Sequence, residues 1–176
     1  MFFLQLSGVP GSGKSSLAGA VTDRLDAVIV DHDVVKSALL RAGVGWDLAG
    51  KAGYEADYTL AAFYLTQGKN VIFDSPCVYA EQLERSQRIA RENGSEYKYV
   101  LCELDDVVEI DRRLKSRAPV PSQIPAVDSD RTDETVFRRW MGEAKLPAVP
   151  YLTVNTANPL NTYIETVISY LKGLSS

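Results

Sequence analysis

Residues 8–16 read GVPGSGKSS and follow the apolar run FFLQLS. The spacing Gly8-x-x-x-x-Gly13-Lys14-Ser15 is that of a phosphate-holding loop set between a strand and a helix. Gly8, Gly11 and Gly13 let main-chain N–H groups converge on an anion with no side chain in the way. The helix that follows adds the positive end of its dipole. Lys14 is the residue expected to bridge two phosphates, and the Ser15 hydroxyl to ligate Mg²⁺. The candidate nucleotide-binding residues are therefore Gly8, Pro10, Gly11, Ser12, Gly13, Lys14, Ser15 and Ser16.

Such a loop serves switches, motors and phosphotransferases alike. A guanine-reading N-K-x-D motif after a strand is missing, and LTVNTANP at the last strand does not supply one. A chain of 176 residues is short for a motor with tracking or oligomer surfaces. The phosphotransferase class is left as the best fit.

Apolar runs and helical patterns alternate around these residues. Strands are expected at 2–7, 27–31, 70–74, 97–104 and 150–155. Helices are expected at 15–25, from 34 to 42, at 55–67 closed by Gly68, at 80–93 closed by Gly94, and at 105–117, 131–144 and 159–173. The stretch 118–130 holds three prolines and little periodicity, and reads as a loop. Strand–helix alternation with near-continuously apolar strands implies a parallel sheet with helices on both faces, one domain over residues 1–176. Ligands of such sheets bind beyond the carboxyl ends of the strands. That directs attention to Gly8, Asp31, Asp74 and the segments after 104 and 155.

Composition removes several classes. Apolar residues are 45%, charged residues 24%, and the net charge is −4, an ordinary globular balance that disfavours long nucleic acid held by general electrostatics. Cys77 and Cys102 form no C-x-x-C pair and one histidine completes no zinc site. Free thiols in a cytoplasmic protein are expected. The N-terminus lacks a basic segment of signal-peptide type, and no run approaches the about 18 apolar residues of a membrane span.

Four motifs in order carry a family likeness: GVPGSGKSS, DHDVVK at the second strand, VIFDSP at the third, and DRRLKSRAPVP after the fourth. Together they resemble the small P-loop kinases, and within them the group that includes the 5′-kinase domain of phage polynucleotide kinase. Gluconate-kinase-like, antibiotic-phosphotransferase-like and zeta-toxin-like proteins are its neighbours. The resemblance implies a three-layer α/β fold of five parallel strands in the order 2-3-1-4-5, with a lid over about 113–131. It implies ATP and Mg²⁺ as cofactors, and transfer of the γ-phosphoryl to a hydroxyl of a small-molecule or nucleoside-like acceptor. A polynucleotide 5′-hydroxyl kinase is the alternative within the class. A regulatory ATPase without acceptor is the alternative outside it. Monomer and homodimer both stay open.

The resemblance also assigns roles. Asp33 would orient the acceptor alcohol, with Asp31 its rival; Asp33 equally suits the N-cap of the next helix. Lys36 stands where the family has an arginine, which keeps a charge but loses bidentate anion recognition. Asp74 would hold Mg²⁺ or touch the acceptor, although Pro76 departs from the family pattern beside it. Arg113 and Arg117, one turn apart on a helix, would reach the transferring phosphoryl and the nucleotide, with Arg112 able to share the role. Thr156 and Ala157 would border the adenine. Trp46, with Tyr54 and Tyr58, is a candidate acceptor contact. His32 reads as a polar loop residue, Arg131, Arg138 and Arg139 as solvent-facing, and Trp140 as a packing residue.

Overall fold

The computed structural model describes residues 1–173. Five strands, β1 (Phe2–Ser7), β2 (Ala27–Asp31), β3 (Asn70–Asp74), β4 (Glu96–Glu103) and β5 (Leu152–Asn155), form one sheet in the order β2-β3-β1-β4-β5. Every pairing is parallel. The expected order is thus observed. The helices are α1 (Lys14–Thr22), α2 (His32–Arg41), α3 (Trp46–Thr66), α4 (Ala80–Glu92), α5 (Val107–Ser116), α6 (Glu134–Met141) and α7 (Ile164–Leu171), with a 3₁₀ turn at Leu160–Thr162.

β1 is buried along its whole length, because a central parallel strand is covered on both faces. Its even residues Phe2, Leu4 and Leu6 pack with Leu17 and Val21 of α1 and Ile164, Val167 and Leu171 of α7. On the opposite face Phe3 packs with Val71 and Phe73 of β3, Tyr58 and Leu65 of α3 and Ile89 of α4. A third cluster joins Val9 of the phosphate loop to Ile110 and Leu114 of α5, Ile124 and Val127 of the 118–130 loop and Phe137 of α6. That cluster makes the loop and α6 part of the same packed body as the phosphate loop.

The elements differ from expectation where local signals compete. α3 starts at Trp46 rather than 55, so residues 46–54, with Gly50 and Gly53, are helical. Gly50 and Gly53 lie on the side that meets α2: a Cβ on Gly53 would stand 3.1 Å from His32 Cε1, and one on Gly50 3.7 Å from Lys36 Nζ. These glycines permit close helix packing rather than breaking the helix. α2 starts at His32, because Asp31 Oδ1 accepts from the N–H groups of Asp33 and Val34 at 2.8 and 3.3 Å. The N-cap is therefore Asp31, which leaves the Asp33 carboxylate for other partners. α6 is only eight residues long, and the closing helix is interrupted at Tyr163.

Candidate active site

β1 delivers the chain into the phosphate loop, where Gly8, Gly11 and Gly13 take φ values of 133°, 82° and 88°. Each lies in the left-handed region that glycine adopts without strain. At Gly8 the demand is also steric, since a Cβ would collide with the Cys102 carbonyl. At Gly13 a Cβ would stand 3.7 Å from both Arg113 Nη1 and Thr156 Cβ, so these two residues flank the loop. Lys14 Nζ donates to the carbonyls of Gly8 and Val9 at 2.8 and 3.0 Å, which holds the ammonium over the mouth of the loop.

Arg113 and Arg117 do not share a helix face. α5 ends at Ser116 and Arg117 is extended. Arg113 donates to the Thr156 carbonyl at 2.8 Å and to Glu109 Oε1 at 2.7 Å, on the side of the β5 exit. Hydrogen bonds from Arg112 and Arg113 hold the Glu109 carboxyl down at about 2. Arg112 spends its guanidinium on Glu109 at the surface, away from the loop. Arg117 turns the other way. It donates to the Ile124 carbonyl at 2.8 Å, burial lowers its pKa, and the charge of Asp33 counters that. The two arginines thus divide between the two ends of the site. Thr156 is buried and ties its N–H and hydroxyl to the Glu103 carbonyl, and Ala157 N–H donates to Asn155 Oδ1.

Three carboxylates gather at the ends of β2 and β3. Asp31 and Asp74 are direct partners across the parallel pair, and Asp33 follows within one turn. Burial, then the charges of Asp74 and Asp33, push the Asp31 carboxyl up to about 6. Asp74 is raised by burial, while the Lys14 ammonium and the Ser15 hydroxyl pull it down. Its Oδ2 is buried with no hydrogen-bond partner.

Because Asp31 binds its proton more tightly when folded, its contribution to stability falls as pH rises from its ordinary value of 3.8 to about 6. Asp31→Asn keeps the helix cap and removes this slope. The variant is expected to equal the parent near pH 4 and to exceed it in stability at pH 7, read by urea midpoints across that range.

An orphaned buried carboxylate oxygen beside a hydroxyl fits a divalent cation. Among the described residues no three His, Cys, Asp or Glu side chains form a metal cage. A Mg²⁺ carried by a nucleotide needs fewer protein ligands, and Ser15 and Asp74 fit that arrangement.

Asp33 faces the 118–130 loop. Ser122 Oγ donates to its Oδ1 at 2.8 Å and Gln123 Nε2 to its Oδ2 at 2.7 Å. The Ser122 hydroxyl also meets Ser37 Oγ at 2.9 Å. Lys36, one turn along α2, places Nζ 3.7 Å from the Trp46 ring centroid. Arg131 is not simply solvent-facing: its guanidinium lies 4.7 Å from the same indole and donates to the Pro121 and Gln123 carbonyls. Arg138 and Arg139 pair with Glu134 and Glu143 at the surface, as expected.

His32 is no loop residue. It is 8% exposed, its Nδ1 lies 2.7 Å from Asp57 Oδ2, and its ring stacks on Tyr54 at 3.9 Å. Burial raises the Asp57 carboxyl and His32 draws it back. Tyr54 is half-buried with its hydroxyl held by Ser75 at 3.0 Å, and Tyr58 is a buried core residue stacked on Phe73, closed to an acceptor. Asp57 carried a readable signal: Gly53, Asp57, Ala61 and Leu65 recur every fourth residue, all buried, so an acid stands in the apolar stripe. His32→Ala strands that acid, and a loss of about 1–3 kcal/mol is expected in urea unfolding.

A cavity of about 560 Å³ opens beside Val9 and Pro10. Lys36, Trp46, the 76–79 segment, the end of β4 and Trp140 and Met141 of α6 line it.

A family model described as an AAA domain matches residues 4–141, from β1 through α6. The chain belongs to that family. No curated protein matches it by sequence. Among solved structures, this AAA-domain chain is similar to a candidate kinase from Chloroflexus aurantiacus J-10-fl, with 21% identity, a TM-score of 0.76, and 99% and 97% of the two chains covered. It is similar to the APS kinase CysC of Mycobacterium tuberculosis, solved with AMPPNP and APS, with 18% identity, a TM-score of 0.69 and 97% of each chain covered. It is also similar to a gluconokinase from Sinorhizobium meliloti 1021, with 15% identity, a TM-score of 0.64, and 98% and 93% covered. At these identities the shared property is the fold, and that fold is the P-loop kinase one expected from the motifs. Among the described residues no helix is long and apolar enough to cross a membrane.

Proposed function

We propose that this chain is an ATP- and Mg²⁺-dependent phosphotransferase that moves the γ-phosphoryl of ATP to a hydroxyl of a small-molecule acceptor. One observation carries the reading: the Asp33 carboxylate, beside the phosphate-loop cluster, already accepts a hydrogen bond from an alcohol, the Ser122 hydroxyl at 2.8 Å. An acceptor alcohol in that position would donate to the same oxygen.

The loop amides and Lys14 bind the phosphates. Bound with the nucleotide, Mg²⁺ held by Ser15 and Asp74 would supply charge neutralisation on the phosphate oxygens. Arg113 and Thr156 border the nucleotide side, and Ala157 follows them. Asp33 orients the acceptor O–H and takes its proton. The alcohol oxygen forms the bond to γ-phosphorus as the bond to the β,γ-bridging oxygen breaks, and ADP leaves. Asp33 need not be a strong base, because the transition state is loose. Arg117, near Asp33, offsets charge spreading over the transferring group. Ser122 and Gln123 cover Asp33 until an acceptor replaces them, which restrains transfer to water.

The test follows ADP release and new phosphorylated species by mass spectrometry, with purified protein alone, with pooled small metabolites, and with a 5′-hydroxyl oligonucleotide. Acceleration by the metabolite pool, with a product heavier by one phosphoryl group, supports the reading. Acceleration by the oligonucleotide alone replaces it with the polynucleotide kinase alternative. Slow release indifferent to both replaces it with a regulatory ATPase.

A further inference from the structure

The cavity beside the phosphate loop has a chemistry that phosphate binding does not explain. Its volume of about 560 Å³ suits a small organic molecule. Its walls carry Trp46, Trp140, Met141, Val78, Tyr79 and Pro76, so flat and apolar surface dominates. Trp46 and Trp140 are the chain's two tryptophans, contributed by α3 and α6, and both lie here.

The charges point the same way. Glu103, Asp105 and Glu143 line the cavity with Lys36; Arg139 pairs with Glu143, and Arg131 lies over Trp46, which leaves Glu103 and Asp105 as the acidic lining. The Lys36 ammonium rests on the Trp46 face, and burial depresses its pKa. A phosphate, sulfate or sugar-acid carboxylate would meet Glu103 and Asp105, which form no ion pair among the described residues, and that is unfavourable. A neutral or cationic ring would gain contact with Trp140 and with the part of Trp46 that Lys36 and Arg131 leave open and, if cationic, the charge of Glu103 and Asp105. Lys36 also lies one turn beyond Asp33 on α2, so the cavity abuts the helix that carries the alcohol-orienting carboxylate.

We infer that this cavity seats the body of the acceptor, and that the acceptor is a neutral or cationic alcohol bearing a flat apolar ring, with Trp46 and Trp140 setting that preference. This rests on the phosphotransferase reading above for the fate of the alcohol, but not for its binding. The ring lies against the indoles, and the hydroxyl replaces that of Ser122 on Asp33.

Tryptophan emission reports on this cavity alone, which gives a direct test without ATP. The probes are 2-amino-1-phenylethanol, 2-phenylethanol, gluconate and a 5′-hydroxyl oligothymidylate. Saturable emission changes are expected with the two aryl alcohols, at least about ten-fold tighter than with gluconate or the oligonucleotide. In steady state Trp46→Leu is expected to raise the aryl alcohol KM about ten-fold while the ATP KM stays unchanged, a split that general misfolding would not give. Trp140→Phe, which keeps a ring, should retain most of the binding. No saturable change with either aryl alcohol up to about 10 mM overturns the inference, whichever acceptor drives ADP release. Tighter binding of gluconate or the oligonucleotide overturns it too. Saturable aryl binding with ADP release that neither the aryl alcohols nor the metabolite pool accelerates leaves the ligand class standing and overturns the phosphotransferase reading instead.

Discussion

Replacing Lys14 with alanine is expected to reduce ATP turnover by about 10³-fold or more, with the fold intact. The ammonium is the positive side chain poised over the loop, donating to the Gly8 and Val9 carbonyls. Phosphoryl transfer asks the protein mainly for positioning and charge neutralisation, so this loss falls on the step itself. Lys14 is only partly buried at the first position of α1, and the α1 core contacts are made by Leu17, Ala18 and Val21. A circular dichroism melt should therefore move little, while binding of a fluorescent ATP analogue weakens and ADP release disappears. Lys14→Arg should not rescue, because a planar fork does not fit a space shaped by main-chain carbonyls for a compact ammonium. Retention of more than about a third of parental ADP release would remove Lys14 from the site.

Asp33→Asn carries the second large effect. Acceptor-dependent transfer should fall about 10²–10⁴-fold while ATP binding is nearly unchanged. Among the described residues Asp33 makes no hydrogen bond to the phosphate loop; its two oxygens accept from Ser122 and Gln123. The amide keeps the shape but loses the charge that, on the proposed mechanism, receives the alcohol proton, and that offsets the half-buried Arg117. Asp31 does not substitute for it, since its Oδ1 caps α2. Comparing kcat with acceptor present against the affinity for an ATP analogue separates the two effects. A variant that loses both equally would place Asp33 in nucleotide binding instead.

The phosphate loop was legible because its chemistry is local: one run of nine residues carries the glycines, the lysine and the hydroxyl at fixed spacing. The strands were legible because parallel strands buried on both faces read as apolar runs, and their order came from the family resemblance that the four motifs carry. Boundaries failed where a glycine has two physical uses. Gly50 and Gly53 fall before the expected helix start at 55 but lie within the helix, where they serve close packing against His32 and Lys36. The arginine pair misled because helical spacing holds only inside a helix, and α5 ends one residue before Arg117. The contacts of Ser122 and Gln123 with Asp33 join residues about ninety positions apart, so no spacing rule reaches them. The His32–Asp57 pair bridges 25 positions, yet its acid left a trace in the α3 stripe.

The central claim is that the γ-phosphoryl goes to an alcohol and not to water, and isotope partition tests it most directly. ATP turnover in ¹⁸O-enriched water with the pooled acceptors would be followed by mass spectrometry of every phosphorylated product. The expected result is ADP matched by an acceptor phosphate free of solvent oxygen, with little labelled inorganic phosphate, and loss of that product in Asp33→Asn. ADP matched instead by inorganic phosphate carrying one solvent oxygen, in both the parent and Asp33→Asn, would contradict it.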